Sequence, residues 1–214
     1  MSDFKLSICN NALSLIGQGQ TLSSLDDAKK EALICKRVYD QVILRALDKY
    51  NFSFVRKDEY IDESFLIANA VSLPWKFTYR LPTDVMRILY IAPFGATALT
   101  ERIGYLKPIA FNFRLLKGQK VLVTNEPAPF TLQYQGNDFT EVIFPPTFIE
   151  AVEFLLAGAI APEIIKGSTG LQVANGLYQR GLQLLDLSAS LDAQQGGSCI
   201  ESVAHMNALT RSRF

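Results

Sequence analysis

The chain has little cysteine, almost no histidine and no surplus of charge. Its three cysteines, Cys9, Cys35 and Cys199, lie far apart. An odd number without clustered spacing excludes a disulfide framework, and Cys9 and Cys35 fall on apolar helix faces, where cysteine acts as a small hydrophobe. The single histidine, His205, excludes a metal site built on several imidazoles, and zinc-type spacings are absent. Lys+Arg and Asp+Glu both number 21. The chain therefore lacks the basic excess with which a dedicated nucleic-acid binder neutralises phosphates; that balance still suits a protein lining a path for DNA without gripping it. Long apolar runs are missing too. The longest, AVEFLLAGAIAPEII at 151–165, is interrupted by Glu153, Pro162 and Glu163 and is too short to span a bilayer. The N-terminal MSDFKLSICNNALSLIG has neither the basic start nor the apolar stretch of a secretory signal, which predicts a protein made in a reducing cytoplasm.

What is present is enough apolar material, 49% of 214 residues, for an ordinary domain or a domain with a sizeable insertion. Spacing of Leu6, Cys9, Leu13 and Ile16 predicts a helix over 3–16, stopped by Gly17. A second, stronger helix runs to Tyr50, with Ser24 or Asp26 as its cap and Ala28, Ala32, Cys35, Tyr39, Val42, Ala46 and Leu47 on one face. NFSFVRKDEYIDESF, from Asn51, mixes aromatics and charges without a clean helical period. Then Trp75, Phe77, Tyr79 and Leu81 alternate with Lys76, Thr78 and Arg80, the period of a strand. Further strand-like runs cover 85–92, 110–116, 120–124 and 130–135, with KGQ at 117–119 as a hairpin turn; together they predict an antiparallel unit of about four to six strands. Helical spacing resumes after Pro145 and Pro146, which suit a first helical turn, and again over 169–191.

The predicted fold class is α+β. It is an antiparallel bundle of about four helices with an inserted small antiparallel β-domain and an extended C-terminal tail. The boundaries are 1–60 with 145–192 for the bundle, 61–144 for the insertion and 193–214 for the tail.

Candidate chemistry is thin. Cys199 and His205 are near in sequence but have no orienting third group. Asp26 and Asp27 read as helix-start acids. KGSTG at 166–170 looks like half a phosphate loop, but lacks the GK[ST] ending and follows a helix. The aromatic stripe around Trp75 offers faces for stacking bases, though its regular alternation reads first as core packing. No catalytic residue, cofactor or metal ligand is expected.

Taken in order, several segments resemble the head-to-tail connector adaptors of short-tailed bacteriophages, the tail tubular protein A type. NNALSLIG (Asn10 to Gly17) matches the family's opening NxALxxIG. SSLDDAKKEALICKRVYD (Ser23 to Asp40) matches its SLDD…EA…C…YD segment. YNFSF stands for its WNF, with Tyr50 in place of the tryptophan. Trp75 to Leu89 matches W.Y.Y.LP.D..R.L, with Phe77 for the first tyrosine. Leu132, Tyr134, Asp138, Pro146, Phe148, Ala151 and Leu155 to Ala157 follow the last pattern, with Val152 where leucine is usual. The likeness covers roughly residues 6–190; each motif alone is weak, and their order and spacing carry it.

The resemblance implies a structural virion protein, not an enzyme. Such adaptors form a homo-oligomeric ring, usually of twelve copies, under the portal protein of the phage head. The tail nozzle protein attaches below, and DNA passes through without sequence-specific binding. The expected location is the neck of the virion, assembled in host cytoplasm. The candidate ring contact is the charged face of the second helix, Lys29, Lys30, Arg37 and Arg45. The candidate portal contact is the tail, Val203, Met206, Leu209, Arg211, Arg213 and Phe214. The insertion's loops, 94–108 and 136–145, are a third candidate surface. The competing expectation is a carboxylate-dependent polysaccharide or cell-wall hydrolase of the phage tail, which needs two acids roughly 5–10 Å apart in a cleft.

Overall fold

The structure, a computed structural model, describes residues 2–19, 21–68, 70, 74–93, 109–139 and 142–195. The chain divides into two units: Met1–Phe54 with Thr140–Gln195, and Val55–Phe139 with Gly196–Phe214.

The first unit is helical: α1 (Ser2–Leu15), α2 (Lys30–Lys49), α3 (Pro146–Ile164) and α4 (Ser168–Gln195). Gly17, at φ +80°, ends α1. The Gly17 N–H donates to Ser14 C=O and the Gln18 N–H to Leu13 C=O, which satisfies the last carbonyls in a Schellman cap. Asn10 then fixes the linker: its side chain accepts from the Leu22 N–H at 2.8 Å and donates to the Leu22 C=O at 3.1 Å. α2 starts later than its apolar period suggests, and neither Ser24 nor Asp26 caps it. Ser24 Oγ instead accepts from the Asp26 N–H, and Asp27 accepts from Ser23 and Ser24, forming a tight turn ahead of the helix. Pro145 and Pro146 open α3, where a missing N–H costs nothing. Pro162 lies close enough to the end for the helix to run on to Ile164.

The core of this unit has two parts. Phe52 and Phe148 are buried at its aromatic end, ringed by Phe54 and Phe144 with centroids about 5 Å from Phe148. Along the hairpin of α3 and α4 the contact is made by small residues. A Cβ on Gly158 would lie 3.0 Å from the Tyr178 nitrogen, and one on Gly181 would lie 2.8 Å from Leu155 Cγ. Glycine is what lets these two helices approach so closely.

The second unit holds β1 (Arg56–Ile61), β2 (Phe77–Arg80), β3 (Val85–Pro93), β4 (Phe111–Leu116), β5 (Gln119–Thr124) and β6 (Phe130–Gly136). They form two antiparallel sheets of order β1-β6-β3 and β2-β5-β4. Lys117 (φ 49°) and Gly118 (φ 82°) make the two-residue turn between β4 and β5. Positive φ at both positions is the type I′ geometry that matches strand twist. Ile61, Ile88, Ile91, Phe130, Leu132 and Tyr134 from one sheet pack with Tyr79 and Leu122 from the other.

The expectation of a helical bundle carrying one small β-insertion and an extended tail is corrected here. The β structure is two three-stranded sheets sharing a core of their own, beside four helices among the described residues. Residues 56–61, which lack a helical period, are a strand. Their alternation sets charged Arg56 and Asp58 against a buried Ile61, a pattern that an edge strand permits and that hydrophobic periodicity does not register. The proposed tail, 193–214, is helical as far as Gln195; the rest of it lies outside the described residues.

Candidate interaction surfaces

Two motif residues turn out to be structural pins. Asp84, the acid after Leu81-Pro82, accepts from Lys57 Nζ of β1 at 2.6 Å and from the Tyr134 hydroxyl of β6 at 3.1 Å. Its own C=O accepts from the Asn137 N–H. Burial and this carboxylate push the Tyr134 hydroxyl well above its ordinary pKa, so it stays a donor. Tyr79 lies in the core with its ring edge-on to Phe130 at 5.0 Å. Its hydroxyl accepts from the Ala128 N–H at 2.8 Å and donates to the Glu126 C=O at 3.3 Å. The aromatic strand therefore supplies core: Phe77 and Leu81 pack against the same cluster, while Trp75 precedes the strand and is half-buried. Thr78, on the opposite face, is buried as well, donating to the Ala70 C=O.

The basic face of α2 is divided. Lys30 donates to the Glu163 C=O at 2.8 Å, and Arg37 pairs with the Glu163 carboxylate, so both tie α2 to the end of α3. Lys36 pairs with Asp26 at 2.6 Å, and this holds the Asp26 carboxyl below the usual range. Lys29 and Arg45 have no ion partner among the described residues. Arg45 stands on the rim of a groove of about 290 Å³ between α2, α3 and α4. Its apolar wall includes Val42, Ala46, Leu155, Ala159 and Leu182, and Tyr178 stands at its edge. Asp186, beside it, accepts from Lys49 at 2.9 Å and from the Tyr50 hydroxyl at 2.6 Å, and those donors lower its pKa.

Exposed apolar side chains mark surface that the sequence did not single out. On α4, Leu171 is 59% exposed, and Tyr178 and Leu187 about half. On β4, Leu115 is 73% exposed and Phe113 partly so. Helical spacing puts Leu171, Ala174, Leu177, Tyr178, Leu182 and Leu185 on one face of α4. Ala174 and Leu185 are buried, together with Gly170, Gly181, Leu184 and Ser188, while Leu171 and Tyr178 turn outward. Tail residues Val203, Met206, Leu209, Arg211, Arg213 and Phe214 lie outside the described residues, as does loop 94–108. In the other loop, Ile143 is almost fully exposed while Phe144 is buried.

Among the described residues, the carboxyls of Asp26, Asp62 and Asp186 are held below the usual range by the donors beside them. Among the described residues no three His, Cys, Asp or Glu side chains gather as metal ligands, and no helix is long and apolar enough to cross a membrane. Cys9 and Cys35 are buried as free thiols, and the hydrogen bond between them, with burial, holds the Cys9 thiol above its ordinary pKa. No protein-family model matches the chain, and no curated protein is significantly similar to it in sequence.

Proposed function

We propose that this chain is a structural adaptor of a short-tailed phage neck, a ring-forming protein between portal and tail nozzle through which DNA passes. The observation that carries the reading is that each of the two units leaves large apolar side chains in solvent. Leu171, Tyr178 and Leu187 do so on one, and Phe113 and Leu115 on the other. Apolar surface of this kind on both units suits a protein that works between partners. The ordered motifs of Asn10–Gly17 and Trp75–Leu89 support the family resemblance, and two of their residues, Asn10 and Asp84, hold the fold together by side-chain hydrogen bonds. The chain's neutral balance fits a conduit in which DNA must slide. Ring contacts, in this reading, involve Lys29 and Arg45, and portal contact involves the 203–214 segment.

The test is mass by light scattering, of the chain alone and with portal rings of the same phage. The adaptor reading expects about one copy bound per portal subunit. Deleting residues 194–214 should leave the fold intact and weaken portal binding. Absence of any association with portal overturns the reading.

A further inference from the structure

The strand β4 is an unguarded edge. It pairs only with β5, and no described strand lies on its other side. Because the turn at Lys117 and Gly118 has two residues, Leu116 and Gln119 close the hairpin as a hydrogen-bonded pair. The N–H and C=O groups of Asn112 and Arg114 therefore face β5, and those of Phe111, Phe113 and Leu115 face outward. Consistent with this, the Phe113 N–H is satisfied by the side chain of its own neighbour, Asn112, at 2.7 Å. The other edge of the same sheet is closed: Leu66 bridges Tyr79, and the Ile67 N–H donates to the Thr78 C=O. Exposed, flat, apolar edges are sites of strand addition.

Charge indicates what adds. Arg114, Lys117 and Lys120 lie on the β4–β5 hairpin, which contains no acid, and none has an ion partner among the described residues. The matching surface is on the other sheet of the same unit. There β1 is also an edge, six residues long like β4. It carries Asp58 and Glu59, runs on to Asp62 and Glu63, and exposes Tyr60. Two cations share this stretch, Arg56 at its start and Lys57, which is committed to Asp84, so residues 56–63 hold four acids against two cations; Asp58 also accepts from Gln133 Nε2 at 2.9 Å. The remaining edge strand, β3, contains no carboxylate. We infer that a second copy of this chain docks its acidic β1 edge on the basic, apolar β4 edge, joining sheets of neighbouring copies. Two different surfaces meet, so the contact is heterologous and repeats from copy to copy. It rests on the adaptor reading only for closure of the repeat into a ring.

The test uses the full chain with Tyr60→Cys and Leu115→Cys as reporters, and Cys199→Ser to remove the third thiol. Mild oxidation should trap a ladder extending beyond dimer on a non-reducing gel. Arg114→Glu with Lys117→Glu should suppress the ladder tenfold or more, and so should Asp58→Lys with Glu59→Lys in a separate chain. Mixing the two reversed chains should restore it, because each basic surface then meets an acidic one. Chains with one reporter each guard against misfolded reversals: Tyr60→Cys mixed with Leu115→Cys should give heterodimers in preference to either homodimer. No ladder, a ladder indifferent to charge reversal, or no recovery on mixing overturns the contact. Portal binding by the unreversed reporter chain is read separately. A chain that binds portal without a ladder loses this contact and keeps the adaptor reading; a ladder without portal binding does the reverse.

Discussion

Tyr79 places a polar atom inside an apolar core, and the reason is its hydroxyl's two backbone partners. Residues 126–128 turn away from the sheet, so the Ala128 N–H has no strand to pair with. Tyr79 supplies the acceptor. Burial raises the hydroxyl's pKa, which keeps its proton available for the Glu126 C=O. Tyr79→Phe keeps the ring and its edge contact with Phe130 but leaves a partly buried N–H without an acceptor. The expected loss is about 1–3 kcal/mol, the cost of an unsatisfied buried donor, read as a lower urea midpoint with unchanged slope. A midpoint equal to that of the unaltered chain would show that water replaces the hydroxyl there. Asp84 illustrates the same scale. Its place in a Leu-Pro-x-Asp pattern was visible in the sequence. Its partners, Lys57 and Tyr134, lie 27 and 50 residues away, and no local pattern links them.

Among the elements, α3 and α4 show why small residues matter as much as large ones. The face that spacing assigns to α4 is only partly the buried one: Ala174 and Leu185 are inside, and Leu171 and Tyr178 are outside. The helices in fact meet where side chains are smallest, at Gly158 on α3 and at Ala174 and Gly181 on α4. Dispersion between close backbones there replaces the usual interlocking of large side chains. A methyl group on Gly158 would press against main-chain atoms of α4, which cannot rotate aside, and one on Gly181 would press against Leu155. Each glycine-to-alanine change should therefore destabilise by about 1–3 kcal/mol through overpacking, although alanine favours a helix by about 1 kcal/mol over glycine. Thermal unfolding of Gly158→Ala and Gly181→Ala checks the sign; a raised melting temperature would mean that the helices separate freely. Legibility in the sequence followed the same division. Strands β2 to β6 and the hairpin turn at 117–119 are readable, because alternation and turn chemistry are local. Cap chemistry alone puts the start of α2 too early, because Ser23, Ser24, Asp26 and Asp27 bond to one another instead of capping the helix. The candidate surfaces were least readable: of the α2 cations, Lys30 and Arg37 proved to be tied to Glu163, a residue more than 120 positions away.

For the whole molecule, the division into two units follows from where the chain crosses between them. Among the described residues it enters the second unit at β1 and leaves after β6, and these strands are antiparallel neighbours, with Arg56 opposite Gln135. The two ends of the 55–139 segment are therefore close together in one sheet. That segment also has its own buried cluster, in which Tyr79 and Leu122 of one sheet meet Phe130 and Leu132 of the other. A unit with adjacent ends and a private core should fold when excised. Residues 55–139 expressed alone should give a cooperative urea transition and dispersed amide resonances. At 85 residues (139 − 55 + 1) such a piece is small enough to be only marginally stable, so a reduced midpoint is expected and a missing transition is not. A chain that collapses without fixed side-chain packing would show that the two sheets depend on the helices. In that case mutations in one unit should shift the melting of the other, and the surfaces of the two units could not be altered independently of each other.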